Sequence, residues 1–126
     1  MPIRLNEFAI LIIGRQWRSQ VEWFAHAPIA AKAGLSPQII AELKQNKRPS
    51  NMAEDEAVVY DFVTELTTTQ KVSDATYARA KKVLNDQQIV DLTAVAGNYI
   101  MVAMILAATE TTVPPDKVEP FKPGEE

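Results

Sequence analysis

The stretch SQVEWFAHAPIAAKAGL, residues 19–35, contains the signals of a helix with a defined start and a defined stop. Ser19 can cap the N-terminus, and Glu22, three positions later, completes a capping-box pattern. Gly34 is the residue type that commonly follows the last turn of a helix. Pro28 lacks a backbone donor, so it is expected to kink or restart the helix. The stretch predicts a helix from about Ser19 to Ala33.

Five further stretches predict helices on either side of this one. Residues 5–17 are apolar around nearly the whole helical circumference, which is typical of a buried helix. Ser36 and Pro37 form a favoured helix start, apolar residues recur at helical spacing over residues 53–70, and Ser73 caps a fifth helix. With no convincing strand pattern, the predicted fold class is all-α. We expect a compact bundle of about six helices in residues 1–112 and an irregular tail in residues 113–126.

The last predicted helix, from Asn85 or Asp86 to about Thr109, is long and strongly apolar. Such a helix forms either the centre of the core or part of an interface between subunits. Met101 and Met104 are expected to fill the core. In the fifth helix, the side chains expected to face inward are those of Tyr77, Ala80 and Leu84.

Composition narrows the possible functions. The 126-residue chain has a formal net charge of −3 and no cysteine, so disulfides, zinc–thiolate sites and thiol chemistry are excluded. It has no long basic run, so no nucleic-acid partner is expected. The apolar stretch from Phe8 to Gly14 is too short for a membrane span and lacks a signal-peptide pattern. We expect a cytoplasmic protein with no membrane partner.

Three side chains are candidates for proton transfer. His26, the one histidine, lies four residues after Glu22, so the two share a helix face. A carboxylate beside an imidazole fixes its tautomer, and the pair can act as a general acid and base. Glu7, in the apolar helix before, needs a partner if it points inward. The structural alternative is a solvent-facing pair at Glu22 and His26 and a first-turn acid at Glu7.

Metal and cofactor chemistry have little support in the sequence. One histidine cannot form a multi-histidine metal site, although a mixed site of Glu7, Glu22 and His26 is conceivable. The four glycines are isolated, so no phosphate-binding loop is present. Neither a metal nor a cofactor is expected.

Several blocks of the sequence resemble the carboxymuconolactone decarboxylase family, whose fold is alkylhydroperoxidase D-like. Glu22, Trp23, His26, Ala30, Gly34 and Leu35 match the pattern E-W-x-x-H-x-x-x-A-x-x-x-G-L of its cysteine-free branch. Residues 4–11, 55–62, 72–77 and 97–103 resemble further family blocks in the same order. The resemblance covers about residues 5–115. Longer members carry a helical segment before the block at Arg4, close to which this sequence begins.

The resemblance implies a proton-transfer site of His26, Glu22 and Glu7. In the family's redox branch, two cysteines occupy the positions of Ser19 and Glu22, so thiol peroxidase activity is rejected here. The family reaction is decarboxylation of a small carboxylated lactone. In it, His26 would donate the proton, Glu22 would orient and charge the imidazole, and Glu7 would hold the network or relay the proton. The apolar walls of the substrate pocket are expected to be formed by Trp23, Ile12 and Tyr99.

The resemblance also implies partners: a small-molecule substrate and further copies of the same chain, from dimer to hexamer. The alternative function is a non-catalytic helical module that binds a ligand or scaffolds an assembly. In that case Glu7, Glu22 and His26 would form a buried polar network. A cavity at His26 favours the enzyme, and a fully partnered His26 without a cavity favours the module.

Overall fold

The structure, a computed structural model, describes residues 1–122 and contains six α-helices in that range. They are α1 (Ile3–Gln16), α2 (Gln20–Lys32), α3 (Pro37–Lys44), α4 (Glu54–Thr69), α5 (Asp74–Val83) and α6 (Asp86–Ala108). No strand occurs in residues 1–122. The all-α prediction of about six helices is confirmed, and the predicted helix ends lie within one turn of those observed.

Helix α1 forms the centre of the bundle. Every residue from Glu7 to Arg15 is buried, because α2, α4 and α6 pack around α1 and α3 touches it. This arrangement explains the apolar circumference of residues 5–17, since a helix surrounded by neighbours has no face left for water. It also means that a polar side chain on α1 must find a partner inside the protein.

Helix α2 differs from its prediction at two positions. The Ser19 hydroxyl caps the helix by accepting from the Glu22 backbone N–H, but the Glu22 carboxylate does not bond back, so the capping box is half formed. The helix also continues through Pro28 without a restart. Gly34 follows the helix with φ of +103°, as expected of a stop signal.

The inward faces of α5 and α6 were partly mispredicted. Ala80 and Leu84 are buried as expected, but Tyr77 is 45 % exposed. Thr76 takes the inward position instead, because its hydroxyl donates to the Glu65 carboxylate. Met101 and Met104 face solvent rather than the core, so their interpretation as core filler is wrong.

Helix α6 is long but peripheral. Its inner face packs on α1, and its opposite face is left exposed. By length and composition, with a mean hydropathy of 1.9 over an 18-residue window, α6 would also pass as a membrane-spanning helix. That test is weak for a single helix, because core helices of water-soluble proteins pass it as well. Only 22 % of the window is buried within the protein, so most of this apolar helix lacks a partner.

The segment after α6 is irregular, and Phe121 attaches it to α2 near the end of the described residues. Phe121 is 1 % exposed, and its ring lies 5.4 Å from the Trp23 ring. The Gln20 side chain donates to the Phe121 carbonyl at 2.7 Å and accepts from its backbone N–H at 2.8 Å. The irregular tail was predicted, whereas its docking onto α2 was not. The part of the predicted tail from residue 123 to 126 lies outside the described residues.

Candidate functional site

Glu7 and His26 form the closest contact of the candidate site. Glu7 Oε2 lies 2.6 Å from His26 Nδ1, which joins α1 to α2. A carboxylate can only accept, so Nδ1 carries the hydrogen when Glu7 is ionised, and Nε2 is left for another partner. Glu7 is buried, while the His26 side chain keeps 18 % of its surface in solvent. The partner that a buried Glu7 requires is therefore His26.

Glu22 is also buried, but it is not the residue that orients His26. Both carboxylate oxygens are shielded from solvent and neither has a hydrogen-bond partner among the described residues. Glu22 is 3 % exposed, and burial raises the pKa of its carboxyl to about 7. A large fraction of Glu22 is therefore protonated at neutral pH. The contact that orients His26, which was expected from Glu22, is made by Glu7 instead.

The environment of Glu22 explains why it lacks a partner. A Cβ added at Gly14 of α1 would lie 3.8 Å from Glu22 Oε2, so the carboxyl group faces the backbone of α1. The backbone N–H groups in the middle of an α-helix are bonded within that helix and cannot donate to it. This neighbour could not be predicted from the sequence, because an isolated glycine matches no motif.

Tyr99 of α6 covers the imidazole. Its ring lies edge-on to His26, with centroids 5.2 Å apart. Burial raises the pKa of the Tyr99 hydroxyl, and the negative charges of Glu7 and Glu22 raise it further. The expected wall at Tyr99 is therefore present beside His26. Trp23 packs on Phe121, and Ile12 is buried in the core, so neither has a described contact with the imidazole.

Three cavities are described, and none is lined by Glu7, Glu22 or His26. The first, of about 230 Å³, lies between the start of α2, the end of α6 and the tail, and its lining includes Trp17 and Leu106. The others, of about 450 and 120 Å³, share Arg15 and Asn46. The candidate site thus reaches solvent through the exposed part of His26 rather than through one of these cavities.

The three residues do not form a metal site. Within residues 1–122, no three histidine, aspartate or glutamate side chains converge so that they could hold a metal ion. The mixed Glu7, Glu22 and His26 site that the sequence allowed is thus not formed. What the geometry brings together is a carboxylate–imidazole pair beside a buried carboxylic acid, which suits proton transfer.

Comparison of the chain with protein-family models, with curated proteins and with solved structures finds no match. The resemblance to the carboxymuconolactone decarboxylase family therefore rests on the sequence blocks alone and stays a prediction.

Proposed function

We propose that the protein is a lyase of the carboxymuconolactone decarboxylase type, which acts by general acid/base proton transfer on a small carboxylated lactone or a related cyclic compound. The proposal needs no thiol, metal or cofactor. It joins the sequence resemblance to one structural observation, the buried and unpartnered carboxyl group of Glu22 beside the Glu7–His26 pair.

A purely structural network would not leave Glu22 in this state. Buried polar groups in stable cores are almost always hydrogen-bonded, because burial without a partner costs free energy. Glu7 follows this rule through its contact with His26, whereas Glu22 does not. Perturbed pKa values of this kind cluster at functional sites. The arrangement keeps a proton available near neutral pH, which a catalyst of protonation requires.

The chemistry follows from the positions of the three groups. In decarboxylation, the bond between the ring carbon and the carboxylate breaks, CO₂ leaves, and the electron pair passes into the conjugated lactone. A carbon of that system must then take up a proton. His26 is the most exposed of the three groups, so it meets the substrate and delivers the proton from Nε2. Imidazolium can donate from both nitrogens, and Glu7 receives the hydrogen bond from Nδ1.

Glu22 has a supporting role in this scheme. It lies one helical turn before His26 on the same face of α2, and with a pKa of about 7 it is protonated in a large fraction of molecules at neutral pH. It therefore serves as a proton reserve for the imidazole, and Glu7 serves as the positioning residue. Tyr99 shields the ring from one side, which limits exchange of its proton with water.

The second candidate function is a non-catalytic helical module that binds a ligand or scaffolds an assembly. It is favoured by the cavities, since none of the three is lined by the candidate residues. Under this alternative, His26 is a partly buried side chain held by Glu7. Its replacement would change the stability of the protein but no reaction.

An ultraviolet assay of 4-carboxymuconolactone turnover separates the two functions. We expect turnover by the wild-type protein and a loss of at least ~10²-fold in His26→Gln, since glutamine can still bond Glu7 but cannot transfer a proton. Lys32→Ala, at an exposed position of the same helix, is the matched control and should keep wild-type turnover. Full activity of His26→Gln would overturn its assignment. No turnover of this or related carboxylated lactones by the wild type would contradict the decarboxylase proposal and favour the module.

A further inference from the structure

The outward face of α6 has a regular apolar pattern. Val90, Met101, Met104 and Ile105 are between 47 % and 62 % exposed, which is unusual for so many large apolar side chains on one helix. Residues 92–108 contain no charged side chain. This surface is independent of the candidate site, because Tyr99 and His26 lie on the opposite side of the helix.

The exposed residues follow the spacing of helix-to-helix packing. They define the α6 stripe, which consists of six exposed positions: Val90, Ala94, Gly97, Met101, Met104 and Ala108. Successive members are alternately four and three residues apart, the spacing of the contact positions in a coiled coil. At 3.6 residues per turn they fall within ~80° around the helix axis and extend for ~27 Å along it. The occupant that fits such a stripe is another α-helix.

The order of small and large residues along the stripe identifies that helix. If two α6 helices run antiparallel and cross at the level of Tyr99, Gly97 of one copy faces Met101 of the other. In the same register Ala94 faces Met104, and Val90 faces Ala108. A Cβ added at Gly97 would meet nothing within 4 Å in the single chain, so this position leaves space for a methionine. Every contact thus pairs a larger side chain with a smaller one.

The competing arrangements fit less well. Parallel helices in register would place Gly97 against Gly97 and Met101 against Met101, which leaves a gap in one layer and crowds the next. In the antiparallel register, Asp91 lies level with Ala107 and Glu110 with Gln88, so no acidic residues oppose each other. The helix dipoles also run in opposite directions, which is the favourable orientation.

We infer that two copies of this chain associate through their α6 stripes, as an antiparallel pair with two-fold symmetry about the level of Tyr99. A two-fold pair uses the same patch on both subunits, and this stripe is complementary to itself. The area is small, a few hundred Å² per copy, so a reversible dimer rather than a permanent one is expected. The two candidate sites lie away from the contact, so dimerisation and catalysis can fail independently.

Sedimentation and light scattering test the pairing. We expect a mass of twice the 14.0 kDa of one chain at high micromolar concentration and dissociation on dilution. Gly97→Met should raise the dissociation constant at least ~10-fold, because it fills the space that the partner's methionine needs. The variant should still fold, since the position is open and methionine favours helix by roughly 1 kcal/mol over glycine. The double variant Gly97→Met with Met101→Ala should restore association.

The orientation has its own test, because the chain contains no cysteine. Gly97→Cys protein mixed with Met101→Cys protein should join through a short thiol-specific cross-linker more efficiently than either protein joins to itself. A preference for self-joining of both variants would indicate a parallel pair and contradict the inference. So would unchanged association of Gly97→Met, or a monomeric mass for the wild type at all concentrations.

A membrane is the competing partner for an apolar helix of this length. Flotation with phosphatidylcholine vesicles distinguishes a membrane partner from a second copy of the chain. A fluid lipid surface does not need the space beside Gly97 that the methionine of a partner helix needs. A monomeric wild type that floats with vesicles, with Gly97→Met floating at least as well, would overturn the dimer. Wild type that remains unbound and dimeric supports it.

Discussion

Replacing Glu22 by glutamine should stabilise the protein at alkaline pH, and the size of the effect follows from its burial. The pKa of Glu22 is raised from an ordinary 4.5 to about 7 in the folded state, because the carboxyl group is desolvated and has no partner. A group with a raised carboxyl pKa binds its proton more tightly in the folded chain than in the unfolded chain. Stability therefore falls as the pH rises from the unfolded pKa through the folded one.

The magnitude can be worked out from these two values. Each unit of pKa difference corresponds to 1.36 kcal/mol, so ionisation of Glu22 costs about 3 kcal/mol of stability once both states are deprotonated. Glutamine has the same shape and never ionises. The stability of Glu22→Gln relative to wild type should therefore increase by about 2 to 3 kcal/mol between about pH 5 and about pH 8. For a chain of this size, that corresponds to a shift in melting temperature on the order of 10 °C.

Urea denaturation at the two pH values measures this change directly, with tryptophan fluorescence as the signal. At each pH, the free energy of unfolding of the wild type is subtracted from that of the variant. The change of this difference with pH reports on Glu22, since the titration of all other groups cancels. Glu110→Gln makes the same substitution at an exposed position and is the control against which the change for Glu22→Gln is compared. The reasoning would be refuted if the difference in free energy of unfolding for Glu22→Gln did not change with pH. It would also be refuted if the wild type became more stable relative to the variant as the pH rises. Either result would mean that Glu22 is ionised and partnered in solution.

Two further predictions concern stability alone. The Arg4 guanidinium forms ion pairs with Asp55 at 2.7 Å and with the buried Glu56 at 2.5 Å. Arg4→Met should lower the free energy of unfolding, measured by urea denaturation, by about 2 kcal/mol, because it leaves buried charge unpaired. A loss below ~0.5 kcal/mol, the range of ordinary surface changes, would contradict this prediction. Phe121→Ala should cost up to about 3 kcal/mol and speed tryptic cleavage after Lys117, because the buried ring attaches the tail. Cleavage at the wild-type rate would show that the ring does not hold the tail in place.

The candidate site was only partly predictable from the sequence. Spacing placed Glu22 and His26 on one helix face, and the apolar helix around Glu7 made it the third candidate. Neither observation, nor the family resemblance, could assign the partners. Glu7 reaches His26 because α1 and α2 pack side by side, a contact between residues 19 positions apart. Glu22 had a plausible local role in a capping box, and the structure turns it toward Gly14 instead. The competition between a local bond and burial depends on a neighbouring helix that a local pattern does not contain.

The sequence by itself determined the helices, because their starts and stops depend on residues next to each other. Ser19, Ser36, Ser73 and Asn85 each cap a helix where the sequence predicts one, since a cap needs only a side-chain oxygen within one turn of the free N–H groups. The apolar circumference of residues 5–17 likewise identified α1 as a buried helix.

Tertiary structure alone decided which side of each helix is covered and which polar groups meet. Periodicity gives an apolar face but not its partner, so α6 was equally compatible with the core and with an interface, and Met101 and Met104 were assigned to the wrong side. The docking of Phe121 depends on Gln20, 101 residues earlier in the chain. Such contacts form only when distant segments are brought together, and the free energy of burying a carboxyl group such as that of Glu22 is set by all the segments that surround it.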